Sequence, residues 1–200
     1  MSDGPQTGDS ILAEGKDERF HAKLDLGRWD VYRTAYLYGA ERVVGSIDTG
    51  ANADLIAYPA LYLYRHYLEL MLKRLIALGC ALESKRCAKT NSHRLDEPWS
   101  EARQLIARHA FRAGESQREL EIAGGVIAEF SRLDPSGEAF RYSEYKDGKE
   151  TLTGDENVCL DEVVRVMKRI DNFFVGVECV LERQSQYQEN HSDPLLTRGE

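Results

Sequence analysis

Cysteine is scarce in this chain: Cys80, Cys87, Cys159 and Cys179 are the only four among 200 residues, too few and too irregularly spaced for a disulfide framework or a paired CxxC zinc site. They are expected to be buried, reduced thiols that pack as small hydrophobes. No run approaches the roughly 20 apolar residues that span a bilayer, and MSDGPQTGDSILAEGKDERF has neither a basic nor a hydrophobic leader region. A soluble, cytoplasmic protein without membrane attachment is the expectation. Basic residues are outnumbered, 26 against 34, and a net charge of -8 excludes a surface that coats nucleic acid indiscriminately. The five histidines are scattered without an HExxH pair, so no metal is assigned. Nucleotide-binding glycine loops and a G-x-S-x-G nucleophile elbow are also missing, and no cofactor is expected.

What is present is helical periodicity. From Arg28 to about Val44, Tyr32, Tyr36, Ala40 and Val43 recur at steps of three or four. The most hydrophobic stretch follows, from Asp54 through Ala81, with Pro59 placed in its first turn, where a missing N–H is tolerated. A third helix starts near Pro98 and runs to Phe111. The fourth opens on Ser116-Gln-Arg-Glu119, a capping box, and carries Leu120, Ala123, Ile127 and Phe130 as its inner stripe. The fifth spans Leu160 to Gln186, with Leu160, Val163, Met167, Ile170, Phe174, Val177 and Leu181 as a packing seam. Between the last two, Phe140, Tyr142 and Tyr145 flank Asp147-Gly148, the signature of a type I′ hairpin that must lean on the helices. The reading is one all-α domain of about five helices over 18–186, with a small β-hairpin insertion before the last helix and tails at 1–17 and 187–200.

Projected at 100° per residue, the central helix is apolar around most of its circumference. Tyr62, Arg65, His66, Glu69 and Lys73 nevertheless fall within one arc of about 100°. Arg65–Glu69 and Glu69–Lys73 are both i,i+4 pairs, so the stripe can neutralise itself. It reads either as a solvated outer face or as the wall of a polar cleft. Charge is unevenly spread: Leu61 to Arg112 holds ten basic and five acidic residues, a net of +5, leaving -13 for the rest. Such a segment suits phosphate, or a charge-complementary partner surface. His93, after Thr90-Asn91-Ser92, serves the entrance of the third helix or joins Arg65, His66 and Glu69. Arg141, between Phe140 and Tyr142, either closes the same cleft by pairing with Glu69 or lies exposed.

LYLYRHYLELMLKRLI, followed by NSHRLDEPW and EAFRYSEYKDG, resembles a group of bacterial HEPN-type helical bundles. These carry an aromatic-Arg-His/Gln-x-Leu-Glu-Leu-x-Leu-Lys helix, a small-His-x-Leu-x-x-x-Trp helix start and a Phe-Arg-Tyr loop. The matching positions are Arg65, Glu69, Lys73, His93, Leu95, Trp99, Phe140, Arg141 and Tyr142, within a layout covering about residues 55 to 180. The resemblance implies an all-α bundle, a homodimer, and in many members metal-independent RNA cleavage by an Arg-x(4–6)-His motif, as in ribonuclease toxins and defence components.

Two pairs satisfy that spacing, Arg103…His109 and Arg86…His93. With 18 Arg and five His in the chain, about 1.4 matches arise by chance, so spacing alone selects neither. Arg103 and His109 stand about 120° apart on a regular helix and can meet only across a groove or at a frayed end. The catalytic candidates are therefore Arg103, His109 and His93; the binding candidates are Arg65, His66, Glu69, Lys73, Arg141 and Tyr142. Two functions fit: an RNA-directed, metal-independent ribonuclease, or a non-catalytic module that holds a partner protein or a nucleotide.

Overall fold

Asn52 sets where the longest helix begins: its side chain accepts a hydrogen bond from Asp54 N at 2.8 Å, satisfying one of the donors a helix start leaves unpaired. A computed structural model describes residues 19, 22, 28–87, 93–111 and 117–191. Five helices follow in order: α1 (Trp29–Gly45), α2 (Ala53–Leu82), α3 (Asp96–His109), α4 (Gln117–Leu133) and α5 (Leu160–His191), with a 3-10 turn, Ser46–Thr49, joining α1 to α2. Helix α2 is the axis of the fold, touching α1, α3 and α5, while α4 rides on α3. The described chain is thus predominantly α-helical, and none of its helices is long and apolar enough to cross a membrane.

Buried positions follow the stripes read from the sequence. Leu120, Ala123, Ile127 and Phe130 of α4 are buried, as are Leu160, Met167, Ile170, Phe174, Val177 and Leu181 of α5; Val163 is half-buried. Polar links tie α5 to the axis. Arg33 of α1 and Arg74 of α2 both donate to Glu178, at 2.8 and 2.9 Å, and Tyr67 donates to Asp171 at 2.7 Å. The Tyr67 hydroxyl is held well above its usual pKa by burial, with the Asp171 charge adding to the effect.

Several expectations are corrected. Pro59 lies seven residues into α2 rather than in its first turn; the i−4 carbonyl it leaves unpaired belongs to Leu55, which is exposed, so water can take the bond. The hairpin reduces to a single antiparallel bridge, Glu144 to Glu150, with no strand among the described residues. Its turn is not type I′, because Gly148 alone has positive φ (80°) while Asp147 does not. Tyr145 N donates to Lys149 O at 2.8 Å and Gly148 N to Tyr145 O at 2.9 Å, the pattern of a type I turn closed by a glycine bulge. Helix α5 continues through Gln186 to His191, whose ring stacks on Tyr187 at 4.0 Å, so 187–191 is helix and not tail. Ser116, the cap proposed for α4, and the tails 1–17 and 192–200 lie outside the described residues.

The thiols also differ from expectation. Cys80 is buried but disulfide-bonded to Cys87, and Cys159 and Cys179 are free and exposed. The bond encloses the end of α2, where Ser84 takes the left-handed conformation (φ 52°), Ser84 N donates to Ala81 O and Lys85 N to Cys80 O. This is a Schellman ending, which turns the chain back on the helix and brings residue 87 within reach of residue 80.

Helices α2 and α3 approach closely at Gly79, where an added Cβ would stand 2.8 Å from Leu105 Cβ. Gly79→Ala should therefore lower stability by about 1–3 kcal/mol through overpacking. Gly125→Ala has open space around it, and should raise stability by about 1 kcal/mol through helix propensity. Urea unfolding of both variants checks the contrast.

Candidate functional site

Two charged residues of α2 are nearly sealed from water: Arg65 and Glu69 are each 3% exposed. Burial at this level is costly for a charge unless every lone pair and proton finds a partner. Arg65 finds them across the fold. Its Nε donates to Asp134 O at 3.2 Å and lies 3.2 Å from Asp134 Oδ2, its Nη2 donates to His93 O at 2.6 Å, and its Nη1 stands 3.8 Å from Glu69. Burial pushes its pKa down while Asp134 and Glu69 oppose the shift, so the guanidinium stays cationic at neutral pH. Asp134, fully buried, closes the loop after α4 by accepting from Ala139 N at 3.0 Å.

Glu69 gathers the other basic side chains. Lys73 Nζ donates to it at 2.6 Å, His93 Nδ1 lies 3.2 Å from its Oε1, and His66 Nδ1 is 3.9 Å from its Oε2. His93 is therefore held twice from successive turns of α2, by its carbonyl through Arg65 and by its ring through Glu69. Its side chain is still 66% exposed. With Nδ1 on the carboxylate, Nε2 is left to the solvent side, the arrangement in which a carboxylate orients an imidazole for proton transfer.

Beside this group runs a ladder of flat side chains. Tyr36 of α1 meets the His66 ring edge-on at 4.3 Å, and Tyr62 lies parallel to His66 at 6.1 Å. The Arg141 guanidinium then lies over Tyr62 at 5.7 Å and over Tyr142 at 5.4 Å, and its Nε donates to Gly137 O at 2.8 Å. Tyr142 is 57% exposed. Burial lowers the His66 pKa against the pull of Glu69, which favours the uncharged ring as a stacking surface.

Of the residues read from the sequence, the structure brings Arg65, His66, Glu69, Lys73 and His93 together. Arg141 and Tyr142 join through Tyr62 instead of through Glu69. The polar stripe is neither the solvated face nor the open cleft that the projection allowed: its centre is buried beneath the 93 and 134–142 segments and only its edges reach solvent. Arg103 and His109 are not brought together. Arg103 is exposed on α3, whereas His109 Nε2 is 3.1 Å from Glu83 and its carbonyl accepts from Gln184 at 2.7 Å. Glu83 is shared with Lys85 and Arg108, and these hydrogen bonds hold its carboxyl down to about 2. Arg86 is likewise exposed.

Sequence reasoning missed Asp134, Gly137 and Tyr36 as members of the site. Asp134-Pro-Ser-Gly137 is a recognisable turn sequence, and Gly137 is required there: φ is 82°, and a Cβ would stand 3.0 Å from Arg65 Nη1. Nothing local signals that the turn faces Arg65, 69 residues earlier. Among the described residues no three His, Cys, Asp or Glu side chains gather to hold a metal ion. No protein-family model, curated protein or solved structure matches this chain.

Arg65→Met should destabilise the fold by about 3–5 kcal/mol, because it leaves Asp134 and Glu69 buried without their cation. Acid should erode stability in two steps. The depressed His66 pKa means that the unfolded chain takes up a proton first, so stability falls as pH drops below 6.5. Glu83, depressed from 4.5, contributes fully above that value and is lost as pH falls toward about 2. Denaturation of His66→Gln across pH 7 to 3 should show the upper step removed and the lower one kept.

Proposed function

We propose that this chain is an RNA-directed protein of HEPN-like type that lays a single strand along the Tyr36–His66–Tyr62–Arg141–Tyr142 ladder and cleaves it without a metal at His93. The observation that carries the reading is the ladder itself: alternating aromatic and guanidinium planes are what unstacked bases pack on, irrespective of their identity. Such a surface beside Lys73, with Tyr62 and His66 inside the segment of net charge +5, also attracts phosphate. The carboxylate-held imidazole of His93 supplies the chemistry. Its Nε2 takes the proton of a ribose 2′-hydroxyl, the oxygen attacks the adjacent phosphorus, and the 5′-oxygen leaves with a proton from water, giving a 2′,3′-cyclic phosphate. The bacterial toxin or defence setting and the homodimer are implied by the resemblance in Arg65, Glu69, Lys73, His93, Arg141 and Tyr142.

One observation favours the second reading, a non-catalytic module. Glu69 is occupied by Arg65, Lys73 and His93 at once, an arrangement that pins the 93 segment to α2 whether or not a proton moves.

A labelled single-stranded RNA of about 12 nucleotides in EDTA distinguishes them. The ribonuclease reading expects binding by anisotropy that weakens roughly 5- to 100-fold in Tyr62→Ala and in Arg141→Ala, since base stacking contributes about 1–3 kcal/mol. It also expects cleavage that is abolished in His93→Ala, with binding retained, and unaffected in His109→Ala. Binding without cleavage favours the module; absence of both sinks the RNA reading.

A further inference from the structure

A second site lies away from His93, on either side of the segment that joins the turn region to α5. Residues 152–159 cross a groove between α4, α5 and the start of α2, and a cavity of about 540 Å³ opens on each side. The two share Leu61, Leu133, Glu156, Asn157, Val158 and Cys159, so they are halves of one space divided by the crossing segment. The crossing segment is pinned on itself: Glu156 accepts from Thr153 Oγ1 at 3.0 Å and from Gly154 N at 3.1 Å. Leu61, Phe130 and Met167 supply a buried apolar floor.

The rims are predominantly acidic. Among the described residues, Glu129, Asp155, Glu156 and Glu162 line the first cavity with Arg132 as the one cation, and Asp54, Glu156 and Asp161 line the second without a Lys, Arg or His. Glu162 is held by Arg165, and Asp54 and Asp161 serve the first turns of α2 and α5. Glu129, on α4, and Asp155, on the crossing segment, have no such local duty, and both line the first cavity. An apolar floor beneath a negative rim selects against anions and complements a molecule with a hydrocarbon body and a positive head. Each chamber falls in the range of small-molecule sites, roughly 300–1,000 Å³. A peptide helix, about 10 Å across, would have to pass where the segment stands.

We propose that this divided groove binds an amphiphilic organic cation, with its alkyl or aryl body on Leu61, Phe130 and Met167 and its ammonium group between Glu129 and Asp155. Cys159, free and exposed at the mouth of both cavities, reports occupancy, and Cys179, exposed on α5 but lining neither, is an internal control.

The test uses the full chain with octyltrimethylammonium and with octyl sulfate, which share a chain and differ in head charge. Saturating octyltrimethylammonium should slow iodoacetamide alkylation of Cys159 at least tenfold, read by mass spectrometry, while Cys179 is unaffected. It should also raise the melting temperature. Octyl sulfate should do neither. The surface double variant Glu129→Gln/Asp155→Asn, with an unchanged melting temperature when no ligand is added, should need about ten times more of the ammonium probe for the same protection. Equal protection by both probes, protection of neither or both cysteines, or full affinity in the double variant would each overturn the proposal.

Discussion

The fold depends on one guanidinium. Arg65, enclosed midway along the most apolar helix, holds the carbonyl that ends one connection (His93) and the aspartate that begins another (Asp134). A hydrophobic side chain there would be cheaper to bury, but it could not satisfy the backbone carbonyls that loops bring into a core. The loss of hydration is offset because each neighbouring acceptor is itself committed: Asp134 to Ala139 N, and Glu69 to Lys73 and His93. Gly137 completes the arrangement by coming closer to Arg65 than any Cβ would allow. Sequence, packing and site geometry therefore meet in the same few atoms, and substitution there acts on stability before it acts on chemistry.

The proposed function is built on the margin of that network. His93 is exposed but not free, since its ring and its carbonyl answer to two buried side chains on consecutive turns of α2. An imidazole preorganised in this way needs no reorganisation to exchange a proton, which is the physical sense in which a structural ion-pair network can serve catalysis. The ladder from Tyr36 to Tyr142 shares the same support, because the 134–142 segment that carries Arg141 is the one Arg65 anchors. The proposed binding surface and reactive group are positioned by a single set of bonds, whereas the divided groove under residues 152–159 lies between α4, α5 and the start of α2.

The stripes of α4 and α5 were legible residue by residue, because burial on an amphipathic helix follows from spacing alone. The grouping of Tyr62, Arg65, His66, Glu69 and Lys73 was legible for the same reason. Other features were not. The burial of Arg65 and Glu69 depends on which segments cover the stripe, and the turn at Asp147-Gly148 depends on strand pairing that the flanking residues do not sustain. Arg103 and His109 have a suggestive spacing, yet Glu83, at the end of another helix, draws the histidine away. Cys80 and Cys87 read as reduced thiols, whereas the left-handed Ser84 breaks the helix between them and lets the sulfurs meet.

By itself the amino-acid order determined five helices, their apolar faces and the arc of polar residues on α2, all consequences of a period of 3.6 residues. Tertiary structure alone decided that this arc would be sealed at its centre and open at His93, that Asp134 would meet Arg65, and that carboxylates from separate elements would rim one apolar groove. The physical reason is distance along the chain: periodicity constrains neighbours three and four residues apart, and partners 28 and 69 residues away are chosen only when the helices pack.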